Sequence, residues 1–203
     1  MRATQYQGLI DARQPPPNRR KYCKEEDGGH EHHLTEAAIM LAFAMYLFDS
    51  GAIEVHIYPD GEHGKRFAIH DWLVANGFRH ENSLGKTVYA GTYLRGSHRL
   101  TVSVKSGNGD VVGELEGRTV FAECKGGVIN SRHAGVAPRL RRGLCEAIGL
   151  LFVRDPEHER LIAVVPDTET TSRLASRLAK RAKAASIEIA LVRSTGEISF
   201  VQN

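Results

Sequence analysis

The chain has 203 residues, 41% of them hydrophobic and 25% charged, enough to bury a sizeable core as one domain or a domain with an appendage. A formal charge of +3 and a pI near 8.8 permit a nucleic-acid partner without demanding one, so local clustering has to decide. Cys23, Cys124 and Cys145 form no CxxC and no paired framework, which excludes a disulfide scaffold and a thiolate zinc site. With no signal-peptide core and no apolar run long enough to span a bilayer comfortably, the expectation is a soluble, cytoplasmic protein with no membrane partner.

In chain order, residues 1–33 lack sustained periodicity and carry Pro15-Pro16-Pro17, a mixed charge run and Gly28-Gly29, so they read as an irregular N-terminal arm. His30-Glu31-His32-His33 closes that arm. Clustered imidazoles bind zinc or nickel readily, but this spacing matches no established site, and a solvated segment is the plainer reading. Leu34 to Phe48 is apolar nearly all round, which predicts a helix buried on most sides and ended by Asp49-Ser50-Gly51; Glu36 is its lone charge. Ile53–Tyr58 reads as a short strand and Phe67–Ala75 as a short helix, and together they suggest an insertion at about 53–78 in a domain running from 34 to 203. Thr87–Leu94 and Leu100–Val104 flank Arg95-Gly96-Ser97 as a hairpin, and the sheet to this point reads as antiparallel.

Residues 111–115 and 119–124 are rich in Val and Phe and bounded by Gly, so they read as two strands joined by the two-residue loop Glu116-Gly117. If Leu115 faces Arg118, stepping outward along both strands puts Asp110 directly opposite Glu123. Their Cβ atoms are then about 5 Å apart, and like charges at that spacing repel unless a positive charge, such as a divalent metal, lies between them. Alternation places Lys125 on the same face as Glu123, with Val120, Ala122 and Cys124 turned toward the core. One face is expected to be chemical and the other to pack. Beyond Gly126-Gly127 the pattern predicts a helix over Pro138–Phe152, a buried strand over Leu161–Val165, an amphipathic helix over Glu169–Ala184, a strand over Ile187–Val192 and an edge strand over Glu197–Val201.

An Asp, then a Glu two residues before a Lys on the next strand, preceded by a helix with a lone Glu, resembles the PD-(D/E)xK nuclease superfamily. The residues are Glu36, Asp110 and Glu123-Cys124-Lys125, and their flanks are most similar to the branch of Holliday-junction resolvases and RecB-like nucleases. The close likeness runs from Gly109 to Gly126, and the element order extends it loosely from Leu34 to about Val165. The resemblance implies an α/β fold with a restriction-endonuclease-like core, a central mixed β-sheet flanked by helices. It implies a metal-dependent endonuclease acting on DNA, with Mg²⁺ or Mn²⁺ held by Asp110, Glu123 and the Cys124 carbonyl. Lys125 would orient or activate the attacking water or stabilise the phosphate charge, and Glu36 would match the helix carboxylate that joins the site in some members. Gly109 stands where the family name places Pro, and the following helix carries Arg139, Arg142 and Glu146 where RecB-like members have Gln and Tyr.

Each signal has a plainer counterpart. A Glu-x-Lys on a half-exposed strand also arises simply to keep it soluble, and Glu36 at a helix start is favoured by the helix dipole by about 0.3 to 1 kcal/mol whatever its chemistry. Arg142 and Glu146 suit an exposed i,i+4 pair. Arg139, Arg141 and Arg142, near the carboxylates, are the candidate DNA contacts, while Arg173, Arg177, Lys180, Arg181 and Lys183 read as a solvated face. The alternative function is a non-catalytic DNA-binding subunit of a repair, recombination, transposition or anti-phage defence complex. A third reading is a histidine-rich metal binder using His30, His32 and His33. A homodimer is expected if both strands of a duplex are cut, since one such site cuts one strand at a time.

Overall fold

The computed structural model describes residues 6–23, 25–105, 109–154 and 157–202. Two sheets and five α-helices are formed in the order β1 (Ile10–Arg13), β2 (Glu31–Leu34), α1 (Glu36–Asp49), β3 (Glu54–Ile57), α2 (Gly61–Arg66), α3 (Ile69–Ala75), β4 (Arg79–Ser83), β5 (Gly91–Arg95), β6 (His98–Val102), β7 (Val111–Leu115), β8 (Arg118–Cys124), β9 (Gly127–Val128), α4 (Val136–Leu151), β10 (Glu159–Pro166), α5 (Glu169–Ala184), β11 (Ile187–Val192) and β12 (Ile198–Phe200). The larger sheet is mixed, with strand order β12-β11-β10-β8-β7-β3-β6-β5-β4, and β1-β2-β9 form a small second sheet.

The β7–β8 hairpin turns where the sequence places it. Glu116 and Gly117 both have positive φ, 53° and 75°, the conformation of a type I′ turn that matches the twist of the flanking strands. Leu115 pairs Arg118 and the register runs to Val111 opposite Ala122. After β8 the chain crosses through α4 to β10 and through α5 to β11, and both crossovers yield parallel pairs. Strand β10 is apolar on both faces because helices cover it on both sides. One face carries α1 on Val111, Val120, Ala122, Cys124, Ile162 and Val164; the other carries α4 and α5 on Phe121, Leu161, Ala163, Val165, Ile187 and Ile189. Helix α1 is enclosed nearly all round, in keeping with its apolar sequence, and Thr35 caps it by accepting from the Ala38 amide at 3.2 Å.

Four expectations are corrected. Residues 1–33 are not uniformly irregular: β1 pairs β2, and Tyr6 and Leu9 are buried in the core. Strand β3 is no peripheral insertion, since it lies between β7 and β6 and buries Val55 and Ile57. Its pairing with β6 is parallel, so the first half of the sheet is not wholly antiparallel. Both faces of β8 pack, because α4 covers the Phe121 face, and the chemical residues gather at the strand's C-terminal end instead. No helix among the described residues is long and apolar enough to cross a membrane.

Candidate active site

The carboxylate pair is built by main-chain bonds before any side chain is considered. The Asp110 amide donates to the Ala122 carbonyl at 3.0 Å and its carbonyl accepts from the Tyr58 amide at 2.9 Å, so β8 and the segment after β3 clamp it from both sides. The Cys124 amide then donates to Asp110 Oδ2 at 2.7 Å. In an extended strand the N–H and C=O of one residue point to the same side, so the Cys124 carbonyl also faces the Asp110 edge. Glu123 falls one step beyond the last ladder pair, across from Asp110, as the hairpin register requires. The Cys124 thiol is fully buried, and burial first, then the surrounding carboxylates, hold its pKa well above the ordinary value; only its main chain is available for chemistry.

Lys125 follows on the face of Glu123, anchored by its amide to the Val164 carbonyl at 3.0 Å. Its ammonium lies 3.4 Å from Glu36 Oε1 and 3.3 Å from Glu146 Oε1, tying the first turn of α1 to the middle of α4. Two glycines permit this convergence. A Cβ on Gly143 would come within 3.2 Å of the Lys125 Cβ, and one on Gly126 would sit 2.5 Å from the Glu36 amide nitrogen and the Leu34 carbonyl oxygen. The strand end therefore presses directly against the start of α1.

Electrostatically the cluster is rich in anions. Burial, then the Asp110 charge, push the Glu123 carboxyl up to about 7, against Lys125 and Arg154. Burial likewise raises Glu36 to about 7, opposed by Lys125 and reinforced by Asp110 and Asp60. Burial would lower the Lys125 ammonium, but Glu36, Asp110 and Glu146 outweigh it and its pKa is raised. Two partly buried carboxyls that resist ionisation beside a third are a site that gains from an added cation.

Asp110, Glu123, Cys124, Lys125 and Glu36 are thus gathered at one place, the C-terminal end of a parallel strand, where open α/β sheets usually keep their sites. Among the described residues no three His, Cys, Asp or Glu side chains form a ready ligand set; Glu36 turns to Lys125 instead. Gly109 has φ of 153°, which proline cannot adopt. Arg139, Arg141 and Arg142 lie exposed on α4, and Glu146 reaches Lys125. His32 and His33 sit within strand β2, where His32 lies 3.6 Å from Asp27 and His33 3.5 Å from the buried Glu31. This cluster is a piece of sheet and not a solvated tail.

Sequence reading missed Asp60 and Arg154 and took Glu146 as a surface partner of Arg142. The guanidinium of Arg154 stacks 4.3 Å over Phe121 and lowers the Glu123 pKa. Once Phe121 is assigned to the α4 face, a basic residue just past that helix becomes a foreseeable neighbour of Glu123; Asp60 gives no such signal. Comparisons with protein-family models, with curated proteins and with solved structures give no match.

Proposed function

We propose that this chain is a metal-dependent nuclease that hydrolyses phosphodiester bonds in DNA, on a restriction-endonuclease-like core of the PD-(D/E)xK kind. The observation that carries the reading is the placing of Asp110 across from Glu123, with Lys125 beside them at the C-terminal end of β8. Carboxylates and main-chain oxygens are hard donors of the type Mg²⁺ and Mn²⁺ prefer, and such ions keep several waters, so two carboxylates and a carbonyl suffice. Asp110, Glu123 and the Cys124 carbonyl would hold the ion, which when bound polarises a phosphate and lowers the pKa of its water.

The remaining chemistry belongs to the chain. Lys125 is a fixed cation, held by Glu36 and Glu146 on opposite sides, and fits the role of donor to the developing phosphate charge better than that of a base. Glu36, at the α1 terminus, orients that ammonium and stands ready as a further oxygen donor. Arg139, Arg141 and Arg142 on the exposed side of α4 suit contacts to the DNA backbone.

Titration calorimetry with Mn²⁺ on the wild type and Asp110→Asn tests the reading, with DNA cleavage measured on the same samples. Metal uptake and cleavage lost together in the variant support it; equal Mn²⁺ binding by both proteins counts against it. The non-catalytic DNA-binding reading draws on one observation, that Lys125 is already tied to two carboxylates as a structural ion cluster would be. It predicts DNA binding that survives Lys125→Ala, with no cleavage by either protein.

A further inference from the structure

Beside the carboxylate cluster, on the other side of Glu36, runs a groove of about 200 Å³ lined by Arg13, His33, Glu36, Arg66, Gly126 and Gly127. Three elements distant in sequence supply its cationic side chains: the end of β1, the middle of β2 and the end of α2. Arg13 is positioned there, since its guanidinium pairs with Asp11 and also donates to the Arg66 carbonyl at 3.4 Å. The carboxylates that border the groove are engaged, Asp11 by Arg13, Glu31 by Arg19 and His33, and Glu36 by Lys125. The floor is bare main chain, because neither Gly126 nor Gly127 has room for a Cβ: at Gly127 it would meet the Leu140 side chain at 2.5 Å. Two guanidiniums and an imidazole over a glycine floor make a concave site for a tetrahedral anion.

We infer that this groove is a second phosphate subsite, holding a backbone phosphate of the nucleic-acid strand next to the one at the Asp110–Glu123–Lys125 cluster. The inference rests on the nuclease reading and gives it a direction, because the strand would pass from Lys125 over Glu36 toward Arg13 and Arg66. It also assigns a task to β1 and β2, which the core sheet does not require, namely to carry Arg13 and His33 to the edge of the site. Burial first, then the nearby Arg13 charge, lower the His33 pKa, as expected where cations crowd a place meant for an anion.

The test uses the full chain with Arg66→Glu, Arg13→Lys and the double variant Arg13→Gln with Arg66→Gln; Arg173→Gln with Arg177→Gln on α5 serves as control. Arg66 is exposed, so its variant should fold even if loss of Arg13 disturbs β1. Affinity for a short fluorescein-labelled duplex and single strand is measured in EDTA across a salt series, and KM and kcat are measured with Mg²⁺. The inference predicts roughly tenfold weaker binding for the double variant and a salt slope smaller by about 1 to 2, one unit per lost phosphate contact. KM should rise with kcat little changed, Arg66→Glu should bind more weakly than wild type, and the control should match wild type. Unchanged affinity and slope in Arg66→Glu and the double variant, with wild type still binding and cutting, would overturn the subsite alone. A wild type that neither binds nor cuts nucleic acid would overturn the nuclease reading, and the subsite with it.

Discussion

Replacing Glu36 by Gln should make the metal-free protein more stable, and the gain should depend on pH. The Glu36 carboxyl rises from 4.5 to about 7 in the folded chain, chiefly through burial. The folded state therefore holds a proton that the unfolded state has released between those values, and stability falls as pH rises through that window. The native protein is favoured by this group below about 4.5 and carries the full cost of ionising it above about 7. At about 1.4 kcal/mol per pKa unit the cost is roughly 3 kcal/mol. The side chain is 18% exposed, so solvent screening trims this only modestly, and about 2 to 3 kcal/mol is expected. Glutamine keeps the shape without the charge. Urea denaturation in EDTA at about pH 8 should show Glu36→Gln more stable by that amount, or about 5 to 10 °C in Tm for a domain of this size. The difference should vanish near pH 4, where both side chains are neutral. Added Mg²⁺ should narrow the gap at about pH 8 by stabilising the wild type through binding. A variant less stable than wild type at about pH 8, or a gain of equal size at both pH values, would refute the reasoning.

Lys125→Met strips the cation from Glu36, Glu146 and their neighbours, and should destabilise the metal-free protein by about 2 to 3 kcal/mol at neutral pH, less in acid, by the same urea assay. Gly126→Ala forces a Cβ to within 2.5 Å of main-chain atoms at the start of α1 and should cost roughly 2 kcal/mol or more, with a lower thermal midpoint by differential scanning calorimetry. Leu144→Ala empties a fully buried position between α4 and the sheet; a loss of about 2 to 5 kcal/mol is expected from chemical denaturation.

What the sequence discloses and what it hides follow from the range of the interactions. The β7–β8 register was legible because two residues, Glu116 and Gly117, set it locally and a period of two carries it to Asp110 and Glu123. Helix α5 and strand β11 were legible end to end because each has a clean apolar period and a firm boundary, the Thr168 cap before Glu169 and the Ser186 turn before Ile187. Strands β1, β2 and β9 were hidden, since they exist through pairings such as His33 with Val128, which no local pattern announces. Strand β4, Arg-His-Glu-Asn-Ser, is a polar edge that reads as loop. The same limit applies at the site. Asp110, Glu123 and Lys125 share one hairpin and could be placed together, whereas the approach of Glu146, Arg154 and Arg13 depends on how α4 and the small sheet dock.

The most direct test of the central claim is cleavage of supercoiled plasmid, linear duplex, single-stranded and branched DNA with Mg²⁺, Mn²⁺ or EDTA, comparing wild type with Asp110→Ala and Lys125→Ala. The account predicts products from the wild type alone and only with metal. No cleavage of any substrate by the wild type, or cleavage that persists in both variants, would contradict it.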